Sequence, residues 1–321
     1  MPTFNLLDRP WIPVIWLNGE REELGLLELF ARAGAIKALE HPSPLATAGL
    51  HRLLLAILYR ALAPKYVREV AQWHESGWPK DDLTAYLEKW RSRFDLFDAQ
   101  RPFWQVAEFQ AKKKKSWSVL AVEYNPYNAK VLFDHFDVRS EAAARPAAVA
   151  CWLAAIQTFA LSCGKSEIAH TCYAPSATSI LALPTGDDLR RTLLLSLPPQ
   201  DKAVQERDLP VWERPPETLA YLGKNPERTF AGYADLYTWP SRAIHLIPEN
   251  NGEVRWVFFA SGVKLSDSGP IKQHDPMVAY GVNKKDGAEQ PFQIKEDRGI
   301  WLDYASLMPF PPRNDKGEKG C

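Results

Sequence analysis

Past a short N-terminal hairpin, the apolar residues of this chain change period near Thr178, and that change limits the possible folds more than any single motif does. Before it, the spacing is helical. Leu50, Leu53, Leu54, Ile57, Leu58 and Leu62 line one face of a segment running from Pro44, with His51, Arg52, Tyr59 and Arg60 on the other. Gly25 to Phe30 begins a shorter helix, and Pro64 to Trp90 is helical with a break near Gly77-Trp78-Pro79. After the break, Asp81 or Asp82 is the expected N-cap and Leu83, Tyr86, Leu87 and Trp90 form the stripe. Arg145 to Leu161 is Ala-rich, and Gly164 suits its C-cap. Beyond Thr178 come short β-type runs: Ser179 to Leu183, Leu193 to Leu197, Trp212, Tyr237 to Trp239, Ala243 to Ile247 and Val254 to Phe259. Asn250-Asn251-Gly252 turns the last pair into a hairpin, and Asn283 to Gly287 does the same between Met277–Tyr280 and Pro291–Ile294. At the front, residues 11 to 17 and 21 to 24 flank Asn18-Gly19, a hairpin that starts the chain with a β edge. These patterns predict an α+β protein: an N-terminal hairpin, a helical layer, then an antiparallel β region. One domain is expected over 1–310, helix-rich to about residue 175 and strand-rich after it, followed by a disordered polar tail at 311–321.

Charge narrows the function. Lys plus Arg and Asp plus Glu both total 39, so no global field draws in polyanions, and nucleic-acid contact must come from local patches. That argues against an autonomous high-affinity DNA binder. Cys151, Cys163, Cys172 and Cys321 lack metal-type spacing and are too few for a disulfide scaffold, so free thiols in a reducing cytoplasm are expected. No leader pattern opens the chain, and Arg, His or Gln interrupts each apolar stretch before about 18 residues, so no membrane association is expected. The 26 prolines and 12 tryptophans, against 17 glycines, predict loops pinned by Pro and anchored by rings.

Local chemistry for catalysis is not evident. The seven histidines are scattered, and Asp134-His135 and His274-Asp275 are single adjacencies whose side chains point opposite ways on a strand. No metal site and no cofactor are expected. Gly164-Lys165-Ser166 follows a helix but lacks the rest of a phosphate loop, and neither Gly-x-Ser-x-Gly nor Gly-x-Gly-x-x-Gly occurs. What remains is the vocabulary of recognition: loop aromatics, single glycines and short basic clusters. Leu132-Phe133-Asp134-His135-Phe136-Asp137, alternating apolar and ionisable after an Asn-Pro-Tyr-Asn turn, reads as an exposed loop that touches a partner. Lys112, Lys113, Lys114 and Lys115 form the one run of four like charges, either a solvated loop or a basic loop beside a duplex. An enzyme whose site converges from distant His and Asp residues, and a purely architectural subunit, stay open at this point.

Several segments resemble one family in register: Phe4 to Val14, Phe97 to Gln105, Leu132 to His135, Leu236-Tyr237-Thr238-Trp239-Pro240-Ser241-Arg242, and Asp275 to Tyr280. The chain is similar to the large subunit, the CasA family, of the type I-E CRISPR surveillance complex Cascade. The resemblance implies an irregular large-subunit fold without catalytic activity. Such a subunit recognises the protospacer-adjacent motif in duplex DNA, helps open the duplex for crRNA pairing and helps recruit the helicase-nuclease. Implied partners are crRNA, target double-stranded DNA, other Cascade subunits and the helicase-nuclease effector. Carried over, Leu132, Phe133, Asp134 and His135 dock the subunit at the crRNA 5′ handle, with Phe133 inserting. Gly164 and Lys165 fall near the family's glycine loop at the motif, although this chain has one Gly there. Asn283, Lys284, Lys285 and Gly287 match the strand-separating hairpin. The family's C-terminal four-helix bundle is expected to be absent, because the chain reaches Cys321 through a polar tail. Truncation, or a natural short form in which a separate polypeptide takes that role, would account for it.

Overall fold

The computed structural model describes residues 2–124, 142–161, 168, 172–266, 274–282 and 289–292. Where one domain over 1–310 was expected, the chain divides into two compact units. The larger comprises 1–177 with 184–271, and the smaller 178–183 with 272–321.

The larger unit opens with β1 (Ile12–Trp16) and β2 (Arg21–Leu24), joined at Asn18-Gly19 as the turn chemistry predicts. Gly19 takes φ +89°, which favours glycine. After α1 (Leu26–Arg32), β3 (Ile36–Leu39) returns along the other side of β1. The first strand is therefore the centre of an antiparallel sheet ordered β2-β1-β3, and not an edge. Ile12, Val14 and Trp16 alternate onto one buried face, while the backbone of β1 pairs with β2 on one edge and β3 on the other.

Next comes α2 (Pro44–Leu62). Ser43 Oγ accepts from the Ala46 N–H at 3.1 Å, Pro44 fills the first position, and Ala63 ends the helix at φ +41° before Pro64. At 19 residues it is long and apolar enough to cross a bilayer, contrary to the expectation that charges break every stretch, yet most of it is buried inside the protein. Its second face is buried too: Arg52 is fully enclosed with its guanidinium 4.3 Å from the centre of the Tyr237 ring. The stretch after it splits at Gly77-Trp78-Pro79 into α3 (Val67–Ser76) and α4 (Lys80–Lys89). Pro79, not Asp81 or Asp82, is the N-cap of α4; both acids lie in the first turn, where their charge suits the positive helix end.

Short β4 (Lys115–Ser116) precedes α5 (Pro146–Phe159), a helix buried on nearly all sides. It packs against α2 where Gly49 removes a side chain: a Cβ at that position would sit 2.9 Å from the Ala154 carbonyl oxygen. A Gly49→Val substitution should accordingly cost about 2–3 kcal/mol, the crowding outweighing the roughly 0.3–0.5 kcal/mol that valine gains over glycine in helix propensity. Urea unfolding checks this; a wild-type midpoint would show that the two helices can part freely.

Past residue 177 helices are more frequent than expected: α6 (Leu189–Leu195), α7 (Lys202–Gln205), α8 (Leu219–Leu222) and α9 (Tyr233–Tyr237). Leu193 to Leu197, expected as a strand, is mostly the end of α6. Asp188 caps that helix by accepting from Arg191 N at 2.9 Å, and a short apolar run alone does not separate helix from strand. Tyr237 belongs to α9, whose first N–H groups are held by the Asp208 carboxylate (2.9 Å from Ala234 N, 2.7 Å from Asp235 N). Trp212 lies in a turn. The hairpin at Asn250-Asn251-Gly252 is as expected: β6 (Arg242–Pro248) and β7 (Val254–Ser261) pair antiparallel, with β4 on the far side of β7. Between α8 and α9 lies β5 (Glu227–Arg228), which runs parallel to β8 (Lys264–Leu265).

In the smaller unit, β9 (Tyr280–Val282) pairs antiparallel with β10 (Glu289–Pro291), the stems of the second expected hairpin. Residues 179 to 183, expected as a full strand, contribute a single bridge, Leu181 to Val278, with Ala182 N bonded to Met277 O at 2.8 Å. The tail at 311–321 lies outside the described residues.

Candidate nucleic-acid interface

Leu132 to Asp137, Gly164, Lys165, Asn283, Lys284, Lys285 and Gly287 lie outside the described residues, whereas the stems that carry those segments are described. Two of the segments adjoin opposite ends of α5 along the chain. With 14 residues, that helix holds their attachment points about 21 Å apart.

At the N-terminal end, Ala144 exchanges two backbone hydrogen bonds with Val254 of β7, both 2.9 Å, and the Trp117 indole N–H donates to Ala142 O at 2.9 Å. The segment holding Leu132 to Asp137 therefore rejoins the body at a strand edge, one turn before Pro146 starts the helix.

At the C-terminal end one side chain gathers both stems. The Arg242 guanidinium, almost fully buried, donates to Ala160 O (3.2 Å) and Leu161 O on the outgoing stem and to Cys172 O (3.0 Å) on the returning one, besides Ser241 O (2.6 Å). Gln157 of α5 fixes the arginine's own backbone, accepting from Arg242 N at 2.8 Å and donating to Arg242 O at 3.0 Å. No carboxylate pairs with this guanidinium among the described residues; carbonyl oxygens and the Cys172 Sγ, at 3.3 Å, hold the charge. Sequence reasoning quoted Arg242 as a resemblance residue but gave it no role. The available signal was an arginine opening a strand otherwise made of apolar residues.

The third segment is held by β9 and β10, where His274 stacks on the Tyr280 ring at 4.2 Å and its Nε2 lies 3.2 Å from Glu289. The lysine run is divided. Lys112, Lys113 and Lys114 are exposed, but Lys115 is fixed in β4 opposite Val257, with its ammonium 5.0 Å from the centre of the Phe259 ring, so the run does not act as one loop.

The described histidines stay apart, each held locally. His51 Nδ1 meets Thr47 O at 2.8 Å, and burial holds that imidazole below its ordinary range; His41 accepts from Ser43 N, and His245 meets Phe109 O. No three His, Cys, Asp or Glu side chains gather as metal ligands among the described residues. Burial pushes the Cys151 thiol up, and its Sγ donates to Trp11 O, a packing role. One buried polar cluster is structural. Glu213 accepts from Arg60 (2.8 and 2.9 Å) and from Tyr86 Oη (2.6 Å), which in turn accepts from the Trp212 indole at 2.7 Å. Burial, joined by the charge of Glu213, raises the Tyr86 phenol far above its usual range, so it stays a donor.

The comparisons with known proteins agree in one direction. Residues 5–320 match the family of the CRISPR-associated protein Cse1. A CRISPR-associated protein CasA/Cse1 from Thermus thermophilus is 37% identical over 311 residues, which is 95% of this chain and 60% of that protein. The solved structure of Thermus thermophilus CasA (Cse1) superposes with a TM-score of 0.83 at 35% identity, covering 96% of this chain and 64% of its own. A chain of a CRISPR RNA-guided surveillance complex shares the fold at TM-score 0.80 and 22% identity, over 99% of this chain and 66% of that one. The chain thus spans less than two thirds of the length of the relatives it matches. With the mixed helix and sheet architecture and nearly the whole sequence in register, the chain belongs to the CRISPR-associated Cse1 (CasA) family.

Proposed function

We propose that this chain is the non-catalytic large subunit of a cytoplasmic RNA-guided surveillance complex. It recognises the protospacer-adjacent motif in duplex DNA, helps open the duplex for crRNA pairing and helps recruit the helicase-nuclease. Its partners are crRNA, target DNA, the other Cascade subunits and the effector. The observation that carries the reading is the bracing of two contact segments at the two ends of α5. A buried helix of fixed length sets the distance between them, so docking through Phe133 positions the segment holding Gly164 and Lys165 on the DNA. The fold shared with a surveillance-complex chain supports the assembly, and net neutrality fits a subunit whose partners neutralise most phosphates. Lys113 and Lys114 add non-specific attraction for a nearby duplex.

Two variants test it. Phe133→Ala should abolish co-purification with crRNA-bearing complex while leaving the chain folded; undiminished capture would refute the docking assignment. Lys284→Ala with Lys285→Ala should weaken binding of the assembled complex to target duplex about tenfold and spare binding to a pre-opened bubble, since the two ammonium groups act on the closed duplex. Equal loss on both substrates would remove the wedge role.

A further inference from the structure

Two segments that carry the family resemblance, Arg101 to Gln105 and Leu236 to Arg242, meet at a cavity of about 40 Å³ in the larger unit. Its wall holds Arg93, Arg101, Arg214 and Arg242 against one carboxylate, Glu217. Arg214 is neutralised by Asp235 at 2.8 Å. Neither Arg93 nor Arg101 has an acidic partner among the described residues, and the charge of Arg242 meets carbonyl groups and the Cys172 sulfur.

The donors of the wall are also in surplus. The Trp104 indole N–H and the Arg242 Nε–H are buried with no acceptor among the described residues, whereas the Gln105 amide is fully used by Leu96 O and Leu246 N. Trp104 further holds a backbone φ of +56°, a conformation that a bulky aromatic adopts at a cost of roughly 1–3 kcal/mol and that clusters at ligand-binding positions. Surplus cations, unmet donors and local strain coincide at one small opening. At about 10–15 Å³ per water, the space suits one tetrahedral oxyanion and not a nucleoside.

We propose that this cavity is a phosphate site, in which Arg93 and Arg101 hold the oxygens of a phosphate group beside Trp104. Guanidinium forks match phosphate geometry, and neither Arg93 nor Arg101 is paired with a carboxylate among the described residues, although Glu217 shares the wall. The phosphate is either free or part of a nucleic-acid strand passing the opening; both present the same oxygens. The site stands whether or not the chain works within a surveillance complex.

The test uses the whole chain with inorganic phosphate as probe, against chloride at equal ionic strength, read by thermal shift, by calorimetry and by the fluorescence of the tryptophans. Saturable stabilisation is expected, about tenfold weaker in Arg101→Gln, whose exposed side chain can be changed without touching the core, and weaker again in the Arg93→Gln, Arg101→Gln pair. A short oligonucleotide that displaces phosphate assigns the site to a strand; phosphate binding that the oligonucleotide leaves untouched assigns it to the free ion. No saturable effect over chloride, or an effect unchanged in Arg101→Gln, overturns the proposal.

Discussion

Replacing Arg242 with methionine is expected to cost about 3–5 kcal/mol, the largest loss from any single substitution considered for this chain. Methionine keeps much of the volume but none of the donors, so the carbonyls of Leu161 and Cys172 lose their partner at once, while Ala160 O keeps its bond from Ala174 N at 2.9 Å. Each buried unsatisfied acceptor costs roughly 1–3 kcal/mol. Leu161 is 43% exposed, and water recovers part of its share, which sets the lower half of that range. Removing a buried charge returns some desolvation energy, but the orphaned carbonyls remain whatever replaces the arginine. Lysine, with one ammonium in place of a fork, should restore only part of the loss. Urea denaturation at unchanged m-value measures it, and a loss below about 1 kcal/mol would mean that the stems hold without the clamp. Because those stems carry the segment with Gly164 and Lys165, the same variant should weaken duplex binding in assembled complex even where it remains folded.

Glu213→Ala is the second large effect, expected near 3–4 kcal/mol. Glu213 is 8% exposed at the side chain and Arg60 19%, so deleting the carboxylate strands a mostly buried guanidinium and takes the acceptor from the Tyr86 hydroxyl. Arg60 keeps only its bond to Gln205 O. The pair itself need not be stabilising relative to apolar residues, because desolvating two charges offsets much of their attraction. Removing both, as Arg60→Met with Glu213→Leu, should therefore cost clearly less than Glu213→Ala alone. A double-mutant cycle decides: additive losses would show that the two side chains do not depend on each other.

Both predictions rest on contacts between residues far apart in the chain, and that is where sequence reading runs out. The runs that became α2, α3, α4 and α5 were legible with their breaks, because Pro44, Gly77-Trp78-Pro79 and Pro146 are local signals and the helices between them are long enough to show a period. The turns at Gly19 and Gly252 were legible for the same reason, each requiring a left-handed backbone. By contrast, α6 and α9 are too short to display a period, and α9 is capped by an aspartate 26 residues before it. The order β2-β1-β3 also escaped, since Ile36 to Leu39 is four residues with no distinctive pattern.

The sequence by itself determined the family, because the segments that carry the resemblance keep their order along the chain; that some of them touch crRNA and DNA is the proposal. Only the tertiary structure decided what holds those segments in place. That work falls to Arg242, Gln157 and Ala144, whose local surroundings are unremarkable and whose partners lie up to 110 residues away at Val254. It also separated Lys115 from the lysine run by pairing it with β7. Residue types and short-range order announce what a loop is for, but the position of its stems follows from hydrogen bonds that form only after distant strands and helices have packed.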